Sequence, residues 1–254
     1  MEYIFEDETL DDLQIKGIRI IQKKKTFRFG VDAVLLANFA KVKKNNRVVD
    51  MCTGTGIVPL ILAGKTQADS ICGIELQEDM VEMASRSVLY NKLEAVIKII
   101  TGDIKDKEVL KGFPKADVVT VNPPYKPWGT GIHNEDYKEA ISRHEICCNL
   151  EDVISAARIL LKDNGRFYMV HRPERLIDIF KLMREYRIEP KEVQLVHPDV
   201  NKSPNIVLIE GQRDGGAFLK WKRPLFVYDL DRDGKKKFSK DINEIYGRDT
   251  IEGS

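Results

Sequence analysis

The amino-acid sequence predicts an α/β fold, with a mostly parallel sheet and helices on both of its faces. Apolar runs of strand length alternate with segments of helical periodicity, as they do in βαβ units. One of the runs, Arg47–Cys52, leads directly into a glycine turn, which is typical of the first crossover in a doubly wound sheet. The chain has 254 residues, of which 43% are hydrophobic, enough for one such domain with modest additions.

The first half of the chain supplies four predicted parallel strands: Arg47–Cys52, Ser70–Glu75, Val96–Thr101 and Ala116–Val121. Each of the first three is followed by helical periodicity, which is clearest in Gln77–Asn91. Upstream, Val31–Phe39 is expected to be helical. We expect a short hairpin before that helix, formed by Ile18–Ile21 and Thr26–Phe29 around three consecutive lysines, Lys23, Lys24 and Lys25.

The second half begins with a loop rich in proline and glycine, from Asn122 to about His133. Helices are expected near Asn134–His144, Glu151–Leu161 and Pro173–Tyr186, with a fifth strand at Arg166–Val170. No helix fits between Val193–Val196 and Asn205–Glu210, so these two runs are expected to pair antiparallel at the edge of the sheet. The chain is thus divided into an N-terminal segment with a basic β-hairpin (1–30), a main domain (31–213) and a C-terminal arm or tail of unassigned role (214–254).

Composition excludes several classes of protein. The formal net charge is +1, so any nucleic-acid site must come from local clusters of basic residues. No run of about 18 apolar residues predicts a membrane span, and the acidic start, Met1–Asp12, is unlike a signal peptide. The four cysteines have no metal-binding spacing, and Cys147 and Cys148 are adjacent. We therefore expect a cytoplasmic protein with reduced thiols, no metal and no membrane partner.

Three features at successive strand ends predict a nucleoside-type cofactor site. The turn Asp50-Met51-Cys52-Thr53-Gly54-Thr55-Gly56 lets the backbone approach a ligand closely, although dinucleotide-binding proteins use a similar turn. Glu75 ends the second strand, where a carboxylate can accept both ribose hydroxyls. Asp103 follows the third strand, where a carboxylate can accept a hydrogen bond from an adenine amino group. Ligands bind at this carboxyl edge of α/β sheets.

The motif Asn122-Pro123-Pro124-Tyr125 follows the fourth strand and predicts the chemistry. The Asn122 side-chain oxygen and the Pro123 carbonyl are two acceptors for one NH₂ group, and Tyr125 offers a flat face for a planar group. An amide or adenine amino nitrogen is a poor nucleophile because its lone pair is delocalised. Two acceptors on its hydrogens stabilise the positive charge that grows on it during attack.

These motifs resemble those of class I Rossmann-like methyltransferases of the N6-adenine and N5-glutamine group, which use S-adenosylmethionine. The closer resemblance, over about Ile15 to Arg213, is to bacterial valine-tRNA adenine-N6 methyltransferases, which share an FRFGVDAVLLANFA-like helix and an Arg-His-Glu, here Arg143-His144-Glu145. One departure is Cys52, where many members of the class have a glycine. The resemblance implies a mostly parallel seven-stranded sheet with one antiparallel edge strand.

The resemblance also implies roles for individual residues. The predicted cofactor contacts are Arg28, Phe29, Asp32, Asp50, Cys52, Gly54, Gly56, Glu75, Leu76, Asp103, Ile104 and Asn122, and the predicted catalytic residues are Asn122, Pro123, Pro124 and Tyr125. The predicted substrate contacts are Lys23, Lys24, Lys25, Lys126, Trp128 and Arg143. His144 and His171 are expected to be structural, because the reaction needs no general base.

Three hypotheses for the substrate follow. The first is an adenine N6 in RNA, such as a tRNA anticodon loop, with the lysines on phosphates and Trp128 stacking on an extruded base. The second is the glutamine of a release factor. Enzymes of that kind carry a helical domain before the hairpin, whereas only about Met1–Lys16 precedes it here. The third is a binding module without activity, which the intact Asn122–Tyr125 motif argues against.

Overall fold

The computed structural model describes residues 3–24, 30–123, 148–231 and 234–248. The strands in this part of the chain are β1 (Glu8–Asp12), β2 (Arg19–Lys23), β3 (Arg47–Met51), β4 (Ser70–Glu75), β5 (Ile97–Thr101), β6 (Ala116–Val121), β7 (Leu161–His171), β8 (Ile188–His197), β9 (Ile206–Arg213), β10 (Lys220–Trp221), β11 (Leu225–Phe226), β12 (Tyr228–Leu230) and β13 (Lys236–Phe238). The helices are α1 (Val31–Phe39), α2 (Ile57–Lys65), α3 (Glu78–Tyr90), α4 (Lys107–Lys111), α5 (Leu150–Leu160), α6 (Leu176–Glu185) and α7 (Lys240–Ile245). A 3₁₀ turn at Pro173–Arg175 precedes α6.

A nine-stranded sheet has the order β10-β8-β9-β7-β6-β3-β4-β5, with β11 also paired to β8. All pairs are parallel except those of β9, which is antiparallel to both β7 and β8. The predicted doubly wound, mostly parallel sheet and the β8–β9 pairing are therefore confirmed. The antiparallel strand does not lie at the edge, however. The α6 crossover makes β8 parallel to β7, and β9 folds back between them.

The two faces of the sheet bury separate hydrophobic clusters. Leu36 of α1 and Ile61 of α2 lie in one cluster, and Ile154 of α5 and Met183 of α6 lie in the other. Neighbouring residues of β6, Val118 and Val119, belong to opposite clusters, as the pleat of a strand covered on both faces requires. Helices thus cover both faces, and the loops at the strand ends remain available for a site.

The hairpin expected between Ile18–Ile21 and Thr26–Phe29 is not tested, because its second strand lies outside the described residues. Strand β2 pairs antiparallel with the acidic β1, with Lys23 opposite Glu8. The ribbon of β1 and β2 packs on α3, where the Ile21 N–H donates to Ser87 Oγ (3.0 Å). Arg86 of α3 forms a bidentate ion pair with the buried Glu8 of β1 (both contacts 2.7 Å), which holds the ribbon against α3.

The segment after Arg213 docks on the sheet. Strands β10 and β11 extend the β8 edge in parallel register, and α7 buries Ile242 in the cluster that contains α1. Arg248 Nε donates to Gln14 Oε1 (2.7 Å), which ties this arm to the N-terminal ribbon. Of the two alternatives for the segment, the docked arm is the one that forms in its described part. The functional division at residues 30 and 213 stays a prediction.

Candidate active site

The ends of three neighbouring strands bring the predicted residues to one edge of the sheet. Met51, the last residue of β3, is level with both Ile74 of β4 and Val121 of β6. The residues that follow them, Cys52, Glu75 and Asn122, are therefore adjacent at the carboxyl edge. Glu75 is in turn level with Thr101 of β5, so Asp103 follows two residues beyond. This grouping was predicted from the sequence alone.

The glycine turn between β3 and α2 adopts left-handed backbone at three positions: Cys52 (φ 54°), Gly54 (φ 54°) and Gly56 (φ 79°). An added Cβ on Gly54 would meet no atom of the described residues within 4 Å, so this part of the structure leaves space over Gly54. An added Cβ on Gly56 would lie 3.1 Å from the Ala84 Cβ, because α3 packs closely there. Gly54 therefore leaves room for a ligand, while Gly56 allows close packing of two helices.

Asp50 lies beneath this turn and is 2% exposed. Its two carboxylate oxygens accept hydrogen bonds from Thr120 Oγ1 and Thr53 Oγ1, both at 2.6 Å. Burial raises the pKa of Asp50 to about 7, and the nearby charge of Glu75 adds to the shift, while the two hydroxyl donors oppose it. The carboxylate joins β3, β6 and the turn, and it offers almost no surface to a ligand. Thr120 was missed from the sequence, because a threonine in a β-strand is common and carries no functional signal. Thr53 was quoted only as part of the turn.

Glu75 is buried, 5% exposed, at the end of β4. Its Oε2 accepts from the Gly54 N–H (2.9 Å), and its Oε1 accepts from the Leu76 and Gln77 N–H groups (2.9 and 3.0 Å). A carboxylate offers about four lone-pair directions, so acceptor capacity remains beside Gly54. The backbone thus holds an anionic acceptor in a fixed orientation next to the open space of the turn.

Asp103 and two apolar side chains lie near this acceptor. Asp103 Oδ1 accepts from the Lys105 N–H (2.8 Å), and 37% of the Asp103 side chain is exposed, so a ligand can reach it. Leu76 is 40% exposed, whereas Ile104 is buried. A carboxylate with an exposed apolar neighbour suits an adenine ring, which has a flat face and a donor edge.

Cys148 was not singled out from the sequence as a site residue. Its thiol accepts a hydrogen bond from the Cys52 thiol in the glycine turn, and this contact together with burial raises the pKa of Cys52 well above its ordinary value. Cys52 therefore stays a protonated thiol. The contact joins the turn to the start of α5, where Asn149 caps the helix.

On the other side of the glycine turn, Asn122 is half-buried and Pro123 is buried directly after β6. Asp32 lies in the first turn of α1. Burial raises the pKa of Asp32, and Arg172, which follows β7, opposes the shift electrostatically. His171 Nδ1 accepts from the Arg172 N–H (2.8 Å), and burial lowers the pKa of His171 to about 4. A buried neutral imidazole fits the structural role expected for it.

The structure places only part of the predicted substrate contacts. Lys23 Nζ lies 3.4 Å from Asp7 Oδ2, and Lys24 Nζ donates to the Glu6 carbonyl (2.7 Å). The end of β2 therefore lies beside acidic residues rather than in an isolated basic patch. Several predicted site residues lie outside the described residues: Lys25, Arg28, Phe29, Pro124, Tyr125, Lys126, Trp128 and Arg143.

Within the described ranges, no group of three or more His, Cys, Asp or Glu side chains is arranged to hold a metal ion. The helices in those same ranges are all too short or too polar to cross a membrane.

The sequence and the fold resemble those of known methyltransferases. The family model of the TRM5/TYW2 methyltransferase domain matches residues 35–128. A tRNA1(Val) (adenine(37)-N6)-methyltransferase of Porphyromonas gingivalis is 29% identical over 79% of this chain and 80% of the relative. An enzyme of the same name from Parabacteroides distasonis is 26% identical over 78% and 81%. A predicted O-methyltransferase of Agrobacterium tumefaciens, 22% identical, has the same fold, with a TM-score of 0.66 over 85% of this chain and 96% of that one.

The residues at the carboxyl edge fit S-adenosylmethionine. The space over Gly54, the fixed carboxylate of Glu75 and the reachable carboxylate of Asp103 are the features that a ribose and an adenine require. The similarity to known methyltransferases establishes S-adenosylmethionine as the cofactor and methyl transfer as the reaction. The chain is an S-adenosylmethionine-dependent methyltransferase with the fold of the class I enzymes, and it resembles the valine-tRNA adenine-N6 methyltransferases over 79% of its length.

Proposed function

We propose that this chain methylates the exocyclic N6 of an adenine in RNA, in the anticodon loop of a tRNA. One observation carries the chemistry: Asn122 and Pro123 follow β6, one strand away from the glycine turn that ends β3. The acceptors for an amino group thus lie beside the cofactor site. The names of the similar enzymes support tRNA as the substrate and do not favour the glutamine alternative.

S-adenosylmethionine, when bound, supplies an electrophilic methyl group. Asn122 Oδ1 and the Pro123 carbonyl oxygen accept the two hydrogens of the target amino group. As charge grows on the nitrogen, these two contacts strengthen, and they favour the pyramidal geometry needed for attack. The excess proton leaves after transfer, so no strong base is required. His171 is suited to no such role, because its Nδ1 already accepts from the Arg172 N–H and burial, which lowers its pKa to about 4, makes it a weak base.

The cofactor is held by side chains on the other strand ends. Glu75 accepts the ribose hydroxyls, and Asp103 accepts the adenine amino group. Asp50 acts indirectly, since both of its oxygens are bound to threonine hydroxyls and it shapes the turn. The proposed contacts to the substrate come from the sequence alone. Among them, Tyr125 provides the flat face on which an extruded base stacks.

The decisive experiment is to incubate the protein with labelled S-adenosylmethionine and total bacterial tRNA, and to digest the product to nucleosides. We expect label in N6-methyladenosine. The Asn122→Ala variant should lose about two to three orders of magnitude in kcat, because it lacks a contact made in the transition state. A parallel reaction with purified release factor tests the alternative. Label in the protein and none in tRNA would replace the proposal with glutamine methylation.

A further inference from the structure

The carboxyl edge of the sheet continues beyond Asn122. Strand β7 ends there at His171, and β8 ends there at His197. The loop from β8 to β9, residues 198–205, lies at this edge, and the arm hairpin of β12 and β13 packs against that loop. The Tyr228 N–H donates to the Pro198 carbonyl (2.9 Å), and Lys236 Nζ lies 3.1 Å from the buried Asp199. Loop and hairpin therefore form one surface on the active-site side.

Stacked side chains hold the hairpin firmly in place. The Phe238 ring stacks on Tyr228 (centroids 5.3 Å apart) and on Tyr246 (6.1 Å). The Arg248 guanidinium lies against both Phe238 and Tyr246, at 5.1 and 5.0 Å from their ring centroids. Tyr246 also lies close enough to Asp32 for the charge of that carboxylate to contribute to the raised pKa of Tyr246. This cluster fixes the hairpin beside the start of α1, so its outward side chains have a defined position relative to the active site.

Three lysines of the loop and the hairpin, Lys202, Lys235 and Lys237, are exposed, and we call them the basic track. Within the described ranges their ammonium groups make no ion pair. Asp199, the buried acid of the loop, is instead neutralised by Lys236. Asp229 lies across the strand pair from Lys237, and Asp231 Oδ1 accepts from the Lys235 N–H (2.8 Å). The three lysines of the basic track against these two acids leave a positive excess of about one charge.

The sheet order sets the distance from the basic track to the reacting group. From β6 the edge passes through β7, β9 and β8 to β11, which leads into the hairpin. Four strand steps of about 4.8 Å each give a lateral separation of about 19 Å. A single nucleotide bound at Asn122 cannot reach that far, whereas a folded RNA carrying the target base can.

We infer that the basic track binds backbone phosphates of the tRNA at a distance from the target adenine. This inference rests on the proposed RNA substrate and extends its contacts to the C-terminal arm. The lysines contact phosphates and read no sequence, so they set affinity and orientation rather than the choice of base. They should affect KM for tRNA and leave kcat unchanged.

The test compares two double variants that each remove two positive charges. Lys202→Ala/Lys237→Ala removes two of the three lysines of the basic track. Lys43→Ala/Lys44→Ala removes two exposed lysines just before β3, at the opposite edge of the sheet. Each phosphate contact contributes about 0.7 to 0.9 to the slope of log affinity against log salt, so the first variant should lose about 1.4 to 1.8 of that slope. If the variant and the unmodified protein bind tRNA equally at 1 M salt, this loss of slope makes the variant bind about 25-fold to about 60-fold more weakly at 0.1 M salt.

The probe is total bacterial tRNA, with binding measured over a salt series and methylation measured at saturating cofactor. The inference predicts a reduced slope, weaker binding and a raised KM for the first variant only. If both variants behave alike, or neither differs from the unmodified protein, the basic track is not a tRNA contact. If the unmodified protein neither binds nor methylates tRNA, the proposed function falls, and this inference falls with it.

Discussion

The contacts of Glu75 allow a sharp test of the cofactor site. The carboxylate accepts three backbone N–H groups, those of Gly54, Leu76 and Gln77, at 2.9 to 3.0 Å. We propose that it also accepts the ribose hydroxyls of the cofactor. Replacing it in Glu75→Gln keeps the size of the side chain but removes the charge and one acceptor. The change should therefore lower the stability of the glycine turn and weaken the binding of the ribose.

The expected loss of affinity follows from the kind of hydrogen bond. A hydrogen bond to a charged group contributes about 1.5–3 kcal/mol, so Glu75→Gln should bind S-adenosylhomocysteine about tenfold to about 150-fold more weakly. Calorimetry measures this affinity directly. Urea unfolding of the free protein measures separately how much the turn itself is weakened.

An analogue of S-adenosylhomocysteine without the 2′ and 3′ hydroxyls separates the two roles of Glu75. If the carboxylate holds the ribose, the unmodified protein should bind the analogue much more weakly than the parent compound, and Glu75→Gln should bind the two almost equally. If the substitution lowers the affinity for both ligands by the same factor, Glu75 acts only on the turn, and its assignment as a ribose ligand is wrong.

Three further predictions concern catalysis, stability and pH. Tyr125→Phe should retain substantial activity in single-turnover assays and Tyr125→Ala should lose about 1–3 kcal/mol of base binding; an inactive Tyr125→Phe would show that the hydroxyl is required. Arg86→Ala leaves the buried Glu8 carboxylate without its partner and should lower the free energy of unfolding by about 3–5 kcal/mol. Adding Glu8→Gln should restore part of this loss in urea denaturation, and no recovery would argue against a stranded charge. Asp50 has a folded-state pKa of about 7, above its ordinary 3.8, so its contribution to stability falls as pH rises between these values. Asp50→Asn has no group that ionises at this position, so its free energy of unfolding should fall less between pH 5 and pH 8 than that of the unmodified protein. An equal fall in both proteins would contradict the ionisation of a buried Asp50.

The sequence predicted most of the elements that build the site, because their signals are local. Ser70–Glu75 and Ala116–Val121 form strands with the predicted bounds, and Val31–Phe39 forms the predicted helix. In each, the spacing of apolar residues and the flanking turn residues decide the structure. The acid or amide directly after a strand could be placed at the carboxyl edge, since parallel strands all end there.

The partner of each strand in the sheet could not be predicted from local sequence signals. Strand β2 pairs with Glu8–Asp12, a partner that was not predicted, because nothing local in this acidic segment marks it as a strand beside β2. The hydrogen bond from Thr120 to Asp50 joins residues 70 positions apart. Such contacts depend on which strands become neighbours.

The position of β9 and the docking of the arm were likewise decided by the tertiary structure. An antiparallel pairing of Val193–Val196 with Asn205–Glu210 followed from their short connection, but the insertion of β9 beside β7 did not. Composition left two outcomes open for the arm, and burial of Ile242 against α1 selects the docked one. Local periodicity determines which segments form strands and helices, because it reflects backbone geometry within a few residues. Which segments become neighbours depends on the apolar surface that the whole chain buries together.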